Sequence, residues 1–216
     1  MIRIQSIKKR ICKKNRELQL SYANRNLDKN ISRSVICNNC VGAMVLHDFG
    51  LCFNSPFVNL YITAPEYIKL LSNIEYYCSP TASIRDITES AHYPKGLLQN
   101  EITLHFLHYD TFEEAEKKWR KRCERIDYNN LYVILVQQSS CNDNLINKFD
   151  KFTFKKSIAL VNHLIPGINK QFTIPGWENA VTLGAITEYS DISGKRYYDS
   201  FAVSYTHLTL PTKRIV

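Results

Sequence analysis

A continuous apolar run from Leu131 to Val136 limits the folds that this sequence can adopt. An apolar run that does not alternate with polar residues is typical of a strand covered on both faces, as in a parallel sheet between helices. Segments of strand length and helical patterns alternate around it, and the other predicted strands are Ser34 to Cys37, Phe57 to Ile62, Ile102 to His108 and Ser157 to Val161. We therefore predict an α/β fold, a three-layer α/β/α domain with a largely parallel sheet that is mixed at its edge.

The helices between these strands have recognisable start signals. Thr63 with Glu66, and Thr111 with Glu114, have the spacing of a capping box. Further helices are predicted from Val41 to Phe49 and after Ser140. The segment from Ser79 to Asn100 contains prolines and no clear periodicity, so we expect an irregular loop that is long enough to be functional.

The positive charge of the chain is concentrated at one end. The net charge is +8, and residues 1–30 contain nine Lys and Arg against two acidic residues, so the rest is close to neutral. A nucleic-acid partner is not expected, because the basic surface of a nucleic-acid-binding protein should cover one face of its folded domain. Residues 1–30 are predicted to be a basic arm. Ile4, Ile7 and Ile11 have helical spacing within it, which favours an amphipathic helix on an anionic membrane surface, or alternatively a solvated tail.

Residues 31–203 are predicted to be a single α/β domain. The segment Asn24 to Ser34 is expected to be the linker into it. Residues 204–216 read SYTHLTLPTKRIV and are expected to be non-native, because this run resembles a sequencing adapter that has been read through.

Seven cysteines favour a reducing compartment. Their number is odd, most have apolar neighbours, and no secretory signal precedes them, so we predict a cytoplasmic protein that could sit peripherally at the inner face of the membrane. No apolar window is long enough for a spanning helix.

Polar residues follow the predicted strands where ligands bind in open α/β sheets, beyond the carboxyl ends. The set consists of Asn38, Asn39 and Cys40, then His108 and Tyr109, then Gln137 to Ser140, then Asn162 and His163. Two asparagines before a helix can offer amide donors and backbone N–H groups to a phosphate or sugar oxygen. The alternative is that one of them only caps the helix.

Two residues are candidates for catalysis. His108 stands at the end of its strand and is the predicted general base, whereas His105 lies inside the run and is expected to be a core residue. Cys40 is a candidate nucleophile, with a small buried hydrophobe as the alternative. Cys37 and Cys40 have C-x-x-C spacing without a second pair, so no metal site is predicted.

Several motifs in order resemble a known family. They are Asn38-Asn39-Cys40, Asn54 to Leu60 with Ser55 and Asn59, Tyr93 to Leu97, His105 to Tyr109, Lys118-Trp119 with Arg122 and Arg125, Leu183-Gly184 and Lys195-Arg196. Over about residues 30–203 the chain is similar to the bacterial domain of unknown function nineteen-nineteen (DUF1919). Its members are often labelled exopolysaccharide biosynthesis proteins. The resemblance implies a three-layer α/β/α fold and a setting in surface-polysaccharide assembly, but it carries no catalytic residues.

These observations predict an enzyme of surface-polysaccharide synthesis that transfers or modifies a sugar from a phosphate-linked donor, without a cofactor. The ligand is expected to be a sugar phosphate or nucleotide sugar, bound by Asn38, Asn39, Ser55, Asn59, Tyr109, Arg122 and Arg125, with the two arginines at the donor phosphate. For the arginines, a solvated helix flank is the alternative. A second hypothesis is a non-catalytic membrane-surface module that organises other polysaccharide enzymes. A third is a hydrolase using Cys40 and His108.

Overall fold

The computed structural model of the chain describes residues 2–23, 29–89 and 92–199, without the side chains of residues 2–4, 22 and 23. Residues 24–28 of the predicted linker and the whole of residues 204–216 lie outside these ranges. The helices are α1 (Ile2–Ala23), α2 (Val41–Asp48), α3 (Ala64–Ser72), α4 (Ile74–Tyr77), α5 (Phe112–Cys123) and α6 (Asp143–Asp150). The strands are β1 (Ser34–Cys37), β2 (Ile84–Asp86), β3 (Lys95–Leu98), β4 (Ile102–His105), β5 (Leu131–Val136), β6 (Lys156–Val161) and β7 (Gln171–Thr173).

The main sheet is parallel and has the order β1-β5-β6-β7. Cys37 pairs with Ile134 of β5, and Val136 pairs with Leu160 of β6, so β1, β5 and β6 end near the same edge. Every residue of the central strand β5 is buried, as its unbroken apolar run predicts. The α/β fold is confirmed, and β7 is an edge strand that the sequence patterns did not indicate.

A second sheet corrects the predicted position of the strand beginning at Ile102. This strand, β4, ends at His105 and pairs antiparallel with β3, which pairs in turn with β2. The expectation of an irregular loop from Ser79 to Asn100 is therefore wrong, because the segment contains β2 and β3. A tight turn joins β3 to β4: Gln99 and Asn100 both have positive φ (50° and 55°), and Glu101 N–H donates to the Leu98 carbonyl oxygen at 3.0 Å.

The predicted strand from Phe57 to Ile62 is also wrong. It makes only one isolated bridge, between Tyr61 and His105, and Asn59 within it has a φ of 62°, which breaks the extended conformation. Phe57 and Ile62 are nevertheless fully buried. The apolar composition of this segment therefore reflects burial of an irregular connection.

Residues of the main sheet alternate between two hydrophobic clusters. Ile36 and Val133 face the cluster formed with α3 to α6 and the antiparallel sheet, where Trp119 of α5 is buried. Val35 and Ile134 face the opposite cluster, formed with α2 and with Leu183 and other residues that follow β7. This alternation gives the three layers that the sequence predicts.

The first helix, α1, packs on the segment that follows β7. Cys12 is fully buried, Asn15 Nδ2 donates to the Ile192 carbonyl oxygen at 2.8 Å, and Gln19 Nε2 donates to that of Ser193 at 3.0 Å. Helix α1 is thus a long helix attached to the domain along one flank. Over the ranges that the structure describes, no helix is both long and apolar enough to cross a membrane.

Candidate functional site

Two polar side chains extend the main sheet at its carboxyl edge. Asn38, just after β1, exchanges two hydrogen bonds with the backbone of Val136: its Nδ2 donates to the carbonyl oxygen at 3.1 Å, and its Oδ1 accepts from the N–H at 2.8 Å. Gln137 Oε1 accepts from the N–H of Asn162 at 2.9 Å. Both side chains are buried. Asn38, a predicted ligand-binding residue, therefore uses its amide to join β1 to β5.

Asn39 and Cys40 form the turn into α2. Asn39 Oδ1 accepts from the Val41 N–H at 3.0 Å, so this side chain supports the turn that precedes α2. The N-cap position itself is Cys40, whose side chain makes no capping hydrogen bond. Cys40 is half-buried with its Sγ 3.8 Å from the Leu60 carbonyl oxygen. Burial raises the pKa of Cys40, and it raises that of Cys37 to about 12. Both thiols are therefore held in the protonated, weakly nucleophilic form.

A small cavity lies beside this turn, and we call it the edge pocket. Its volume is about 180 Å³, and its lining residues are Asn39, Cys40, Val41, Tyr61, Leu107, Gln138 and residues 184–187. Of these residues, Gln138 has a buried Oε1 without a hydrogen-bond partner among the residues that the structure describes. The edge pocket therefore brings the Asn39–Cys40 turn close to the segment that contains His108.

A larger opening lies between α1 and the segment that follows β7, and we call it the basic cleft. Its volume is about 530 Å³, and its lining residues are Gln5, Lys8, Lys9, Cys12, Thr187, Glu188, Tyr189 and Arg196. Three cations and one carboxylate line it. Thr187 also lines the edge pocket, so the two openings adjoin at this residue. The sequence patterns did not indicate this cleft, although Lys195-Arg196 is among the motifs shared with the resembling family.

An ionic cluster joins α1 to α2 and to the end of the described chain, next to Arg196 of the basic cleft. The Arg16 guanidinium of α1 donates to the carboxylates of Asp48 and Asp199, and the Tyr198 hydroxyl donates to Asp48. Burial by itself lowers the pKa of Arg16, but the hydrogen bonds to Asp199 and Asp48 outweigh it and raise the pKa above its usual value. Burial also raises the pKa of Tyr198, beside the carboxylate of Asp48.

Arg196 connects this cluster to the cleft. Its Nη1 donates to the Thr187 carbonyl oxygen, its Nε lies 3.6 Å from Asp48 Oδ2, and its guanidinium carbon is 4.9 Å from the centre of the Tyr189 ring. These contacts hold the guanidinium in place before any ligand arrives.

Tyr109 and Arg122, two predicted binding residues, contact each other away from the edge pocket. Arg122 Nη1 donates to the Tyr109 hydroxyl at 2.6 Å, and this hydroxyl donates to the Val58 carbonyl oxygen at 3.1 Å. Tyr109 is buried. Through the contact with Val58, the pair stabilises the irregular segment that precedes α3.

The remaining predicted site residues are dispersed. Ser55 is buried and its hydroxyl donates to the Val35 carbonyl oxygen, while Asn59 occupies the positive-φ position described above. His108 and Arg125 are exposed. In the described part of the chain, Cys40 and His108 share no hydrogen bond.

His105 rather than His108 contacts a residue of the edge pocket. Its ring centre is 5.5 Å from that of Tyr61, and its Nδ1 is 3.2 Å from the Tyr93 hydroxyl oxygen. Burial lowers the pKa of His105, and the nearby Lys95 adds to this effect.

Comparisons with known proteins agree with the resemblance seen in the motifs. The chain matches the family described as "Domain of unknown function (DUF1919)" over residues 8–206. It is also 34% identical over 200 residues to an uncharacterized protein of Haemophilus influenzae Rd, and the alignment covers 91% of this chain and 94% of that protein. The matched region includes Lys8 and Lys9 as well as Arg196, so it contains both walls of the basic cleft.

Proposed function

We infer that this protein, which belongs to the DUF1919 family, binds a phosphate-linked sugar and transfers or modifies that sugar in surface-polysaccharide biosynthesis. One observation carries the inference: Lys8, Lys9 and Arg196 line a cleft of about 530 Å³, within the size range of small-molecule sites. Phosphate and pyrophosphate are the ligands best matched to clustered ammonium and guanidinium groups. The polysaccharide setting rests on the family resemblance described above.

The edge pocket suits the sugar end of such a ligand. It adjoins the basic cleft at Thr187, and its volume of about 180 Å³ is below that of sites for larger ligands. Gln138 lines the edge pocket, and a side-chain amide is a suitable hydrogen-bonding partner for a sugar hydroxyl. The side chain of Tyr61 adds an aromatic surface.

The residues proposed to bind the donor phosphate differ from the two arginines that the sequence suggested. Arg122 is hydrogen-bonded to Tyr109, and neither Arg122 nor Arg125 lines the basic cleft. We therefore assign the donor phosphate to Lys8, Lys9 and Arg196 instead. His108 stays the predicted general base, because its neighbour Leu107 lines the edge pocket.

A thermal-unfolding and equilibrium-binding experiment tests the proposal. The panel contains UDP-glucose, UDP-N-acetylglucosamine, glucose 1-phosphate and, as a ligand without phosphate, methyl glucoside. A bound donor at one hundred times its Kd should stabilise the protein by about 2.7 kcal/mol. Methyl glucoside should give no shift.

Matched variants of α1 locate the binding. Lys8→Ala with Lys9→Ala should weaken donor binding by about tenfold to a hundredfold, since hydrogen bonds to charged groups contribute about 1.5–3 kcal/mol. Lys13→Ala with Lys14→Ala, on the same helix but outside the cleft lining, should bind as the wild type does. Equal binding by both double variants, or no shift with any phosphate-containing ligand, would contradict the proposal.

The same assay separates an enzyme from a non-catalytic assembly module. His108→Ala should retain donor binding and lose turnover of the donor. Unchanged turnover would remove His108 from the mechanism, whereas donor binding without any turnover by the wild type would favour the assembly module.

A further inference from the structure

We propose that α1 docks the protein on an anionic phospholipid surface through an apolar stripe formed by Ile7, Ile11 and Leu18. These side chains are 54%, 47% and 63% exposed, respectively. The stripe does not line the basic cleft, so the proposal is independent of the proposed function and its test can fail separately.

The spacing of the stripe places its three side chains on one narrow face of the helix. At 3.6 residues per turn, positions 7, 11 and 18 fall within an arc of about 40°. Large apolar side chains on a folded surface are ordinary when scattered, but a row along one helix indicates an interaction face.

The opposite flank of α1 is held by the domain, which fixes where the stripe faces. Cys12 and Arg16 are buried, and Gln19 donates to the Ser193 carbonyl oxygen. The centre of this attached flank is about 130° around the helix from the stripe. The helix is therefore already formed and oriented, so docking does not require it to fold.

Charge identifies the occupant of this face. Lys8, Arg10, Lys13 and Lys14 are exposed along the same helix, and Glu17 is the single acidic residue of α1. Lys8 lies about 60° beyond the Ile11 edge of the stripe, and Lys14 lies about 20° beyond its Ile7 edge, on the other side. An apolar row with cations on both sides is the pattern of a helix that inserts shallowly between anionic headgroups.

Docking in this orientation would bring the basic cleft to the membrane surface. Lys8 and Lys9 of the cleft belong to the same helix as the stripe. A phosphate group carried by a lipid would then reach the cleft without leaving the surface.

Vesicle flotation with the full chain tests the proposal. The vesicles contain phosphatidylcholine alone or with a minor share of phosphatidylglycerol. The wild type should float with the anionic vesicles, release from them at high salt, and bind the neutral vesicles at least about tenfold more weakly, because both apolar insertion and surface charge contribute.

Serine variants test the stripe itself. Ile7→Ser, Ile11→Ser and Leu18→Ser combined should lower the affinity for anionic vesicles by about tenfold or more. Leu164→Ser combined with Val181→Ser is the matched control, since these side chains are 72% and 93% exposed and lie outside α1. The control should float as the wild type does, and both variants should keep the wild-type melting temperature.

Three outcomes would overturn the proposal. In the first, the wild type fails to float with anionic vesicles. In the second, the stripe variant floats as well as the wild type. In the third, the wild type is a dimer that does not bind vesicles, and the stripe substitutions convert it to a monomer. The last result would assign the stripe to a second copy of the chain. Donor binding by the stripe variant should remain unchanged in every case, which keeps this test separate from that of the basic cleft.

Discussion

The buried side chain of Arg16 makes the ionic part of the contact between α1 and the domain. Its guanidinium lies between Asp48, in the last turn of α2, and Asp199. A carboxylate near a helix C-terminus is unfavourable because it faces the negative end of the helix dipole. Arg16 compensates that charge, so the pairing joins the first helix of the chain to the last part of the domain.

Replacing Arg16 should therefore be costly. Arg16→Met removes the cation that bridges Asp48 and Asp199. It leaves the more distant Arg196 Nε, 3.6 Å from Asp48 Oδ2, to offset their charge. Breaking a buried pair in this way costs up to about 3–5 kcal/mol. Arg10→Met is the control on the same helix, and because its side chain is exposed it should change stability by less than about 0.5 kcal/mol. Urea unfolding measures both. Equal losses for the two variants would show that the Arg16 pairing contributes little.

At the scale of elements, the sequence predicts those helices and strands that local signals determine. The apolar run of β5 and the Thr111 cap of α5, whose hydroxyl accepts from the Glu114 N–H at 3.2 Å, are both found where the patterns indicate. The strand β4 was assigned to the wrong sheet because its apolar pattern does not specify direction. Its direction is set by the turn at Gln99 and Asn100. This turn contains no glycine, the residue from which a tight turn is usually predicted in a sequence.

The candidate site was less predictable than the fold, for a physical reason. Asn38 and Asn39 do follow a strand as expected, but whether an amide binds a ligand or the backbone depends on partners such as Val136, far away in the chain. The basic cleft joins Lys8 to Arg196, and no local pattern links residues at such a separation.

The β3–β4 turn provides a prediction at this scale. Gln99 has a φ of 50°, a conformation that costs a residue with a side chain about 1–2 kcal/mol. Gln99→Gly removes this strain but adds freedom to the unfolded chain, so we expect a net gain of about 0.5–1 kcal/mol. Gln99→Ala keeps the strain and should give no gain. Thermal unfolding compares the three proteins, and a loss of stability with glycine would contradict the argument.

At the scale of the whole molecule, α1 and the segment after β7 form the two walls of the basic cleft. Gly194 is a point of close approach, because its backbone faces the Cys12 carbonyl oxygen and the Arg16 backbone nitrogen. A Cβ atom built at Gly194 would lie 2.5 Å from each of these atoms, closer than real contacts allow. Only glycine lets the helix lie this close.

Two alanine substitutions separate helix contact from backbone strain. Gly194 and Gly167 have nearly the same φ, 86° and 81°, but a Cβ at Gly167 would meet nothing within 4 Å. Both Gly194→Ala and Gly167→Ala should lose stability through the positive φ, and Gly194→Ala should lose about 1–3 kcal/mol more, because overpacking is added.

The extra loss should appear as detachment of α1, since the clash falls on that helix. Trypsin cleavage at the exposed lysines of α1, which requires local unfolding, should be faster in Gly194→Ala than in Gly167→Ala, and donor binding in the basic cleft should weaken in Gly194→Ala alone. If the two variants instead match in stability, cleavage rate and binding, α1 is not held by this contact. The basic cleft would then not be a preformed site.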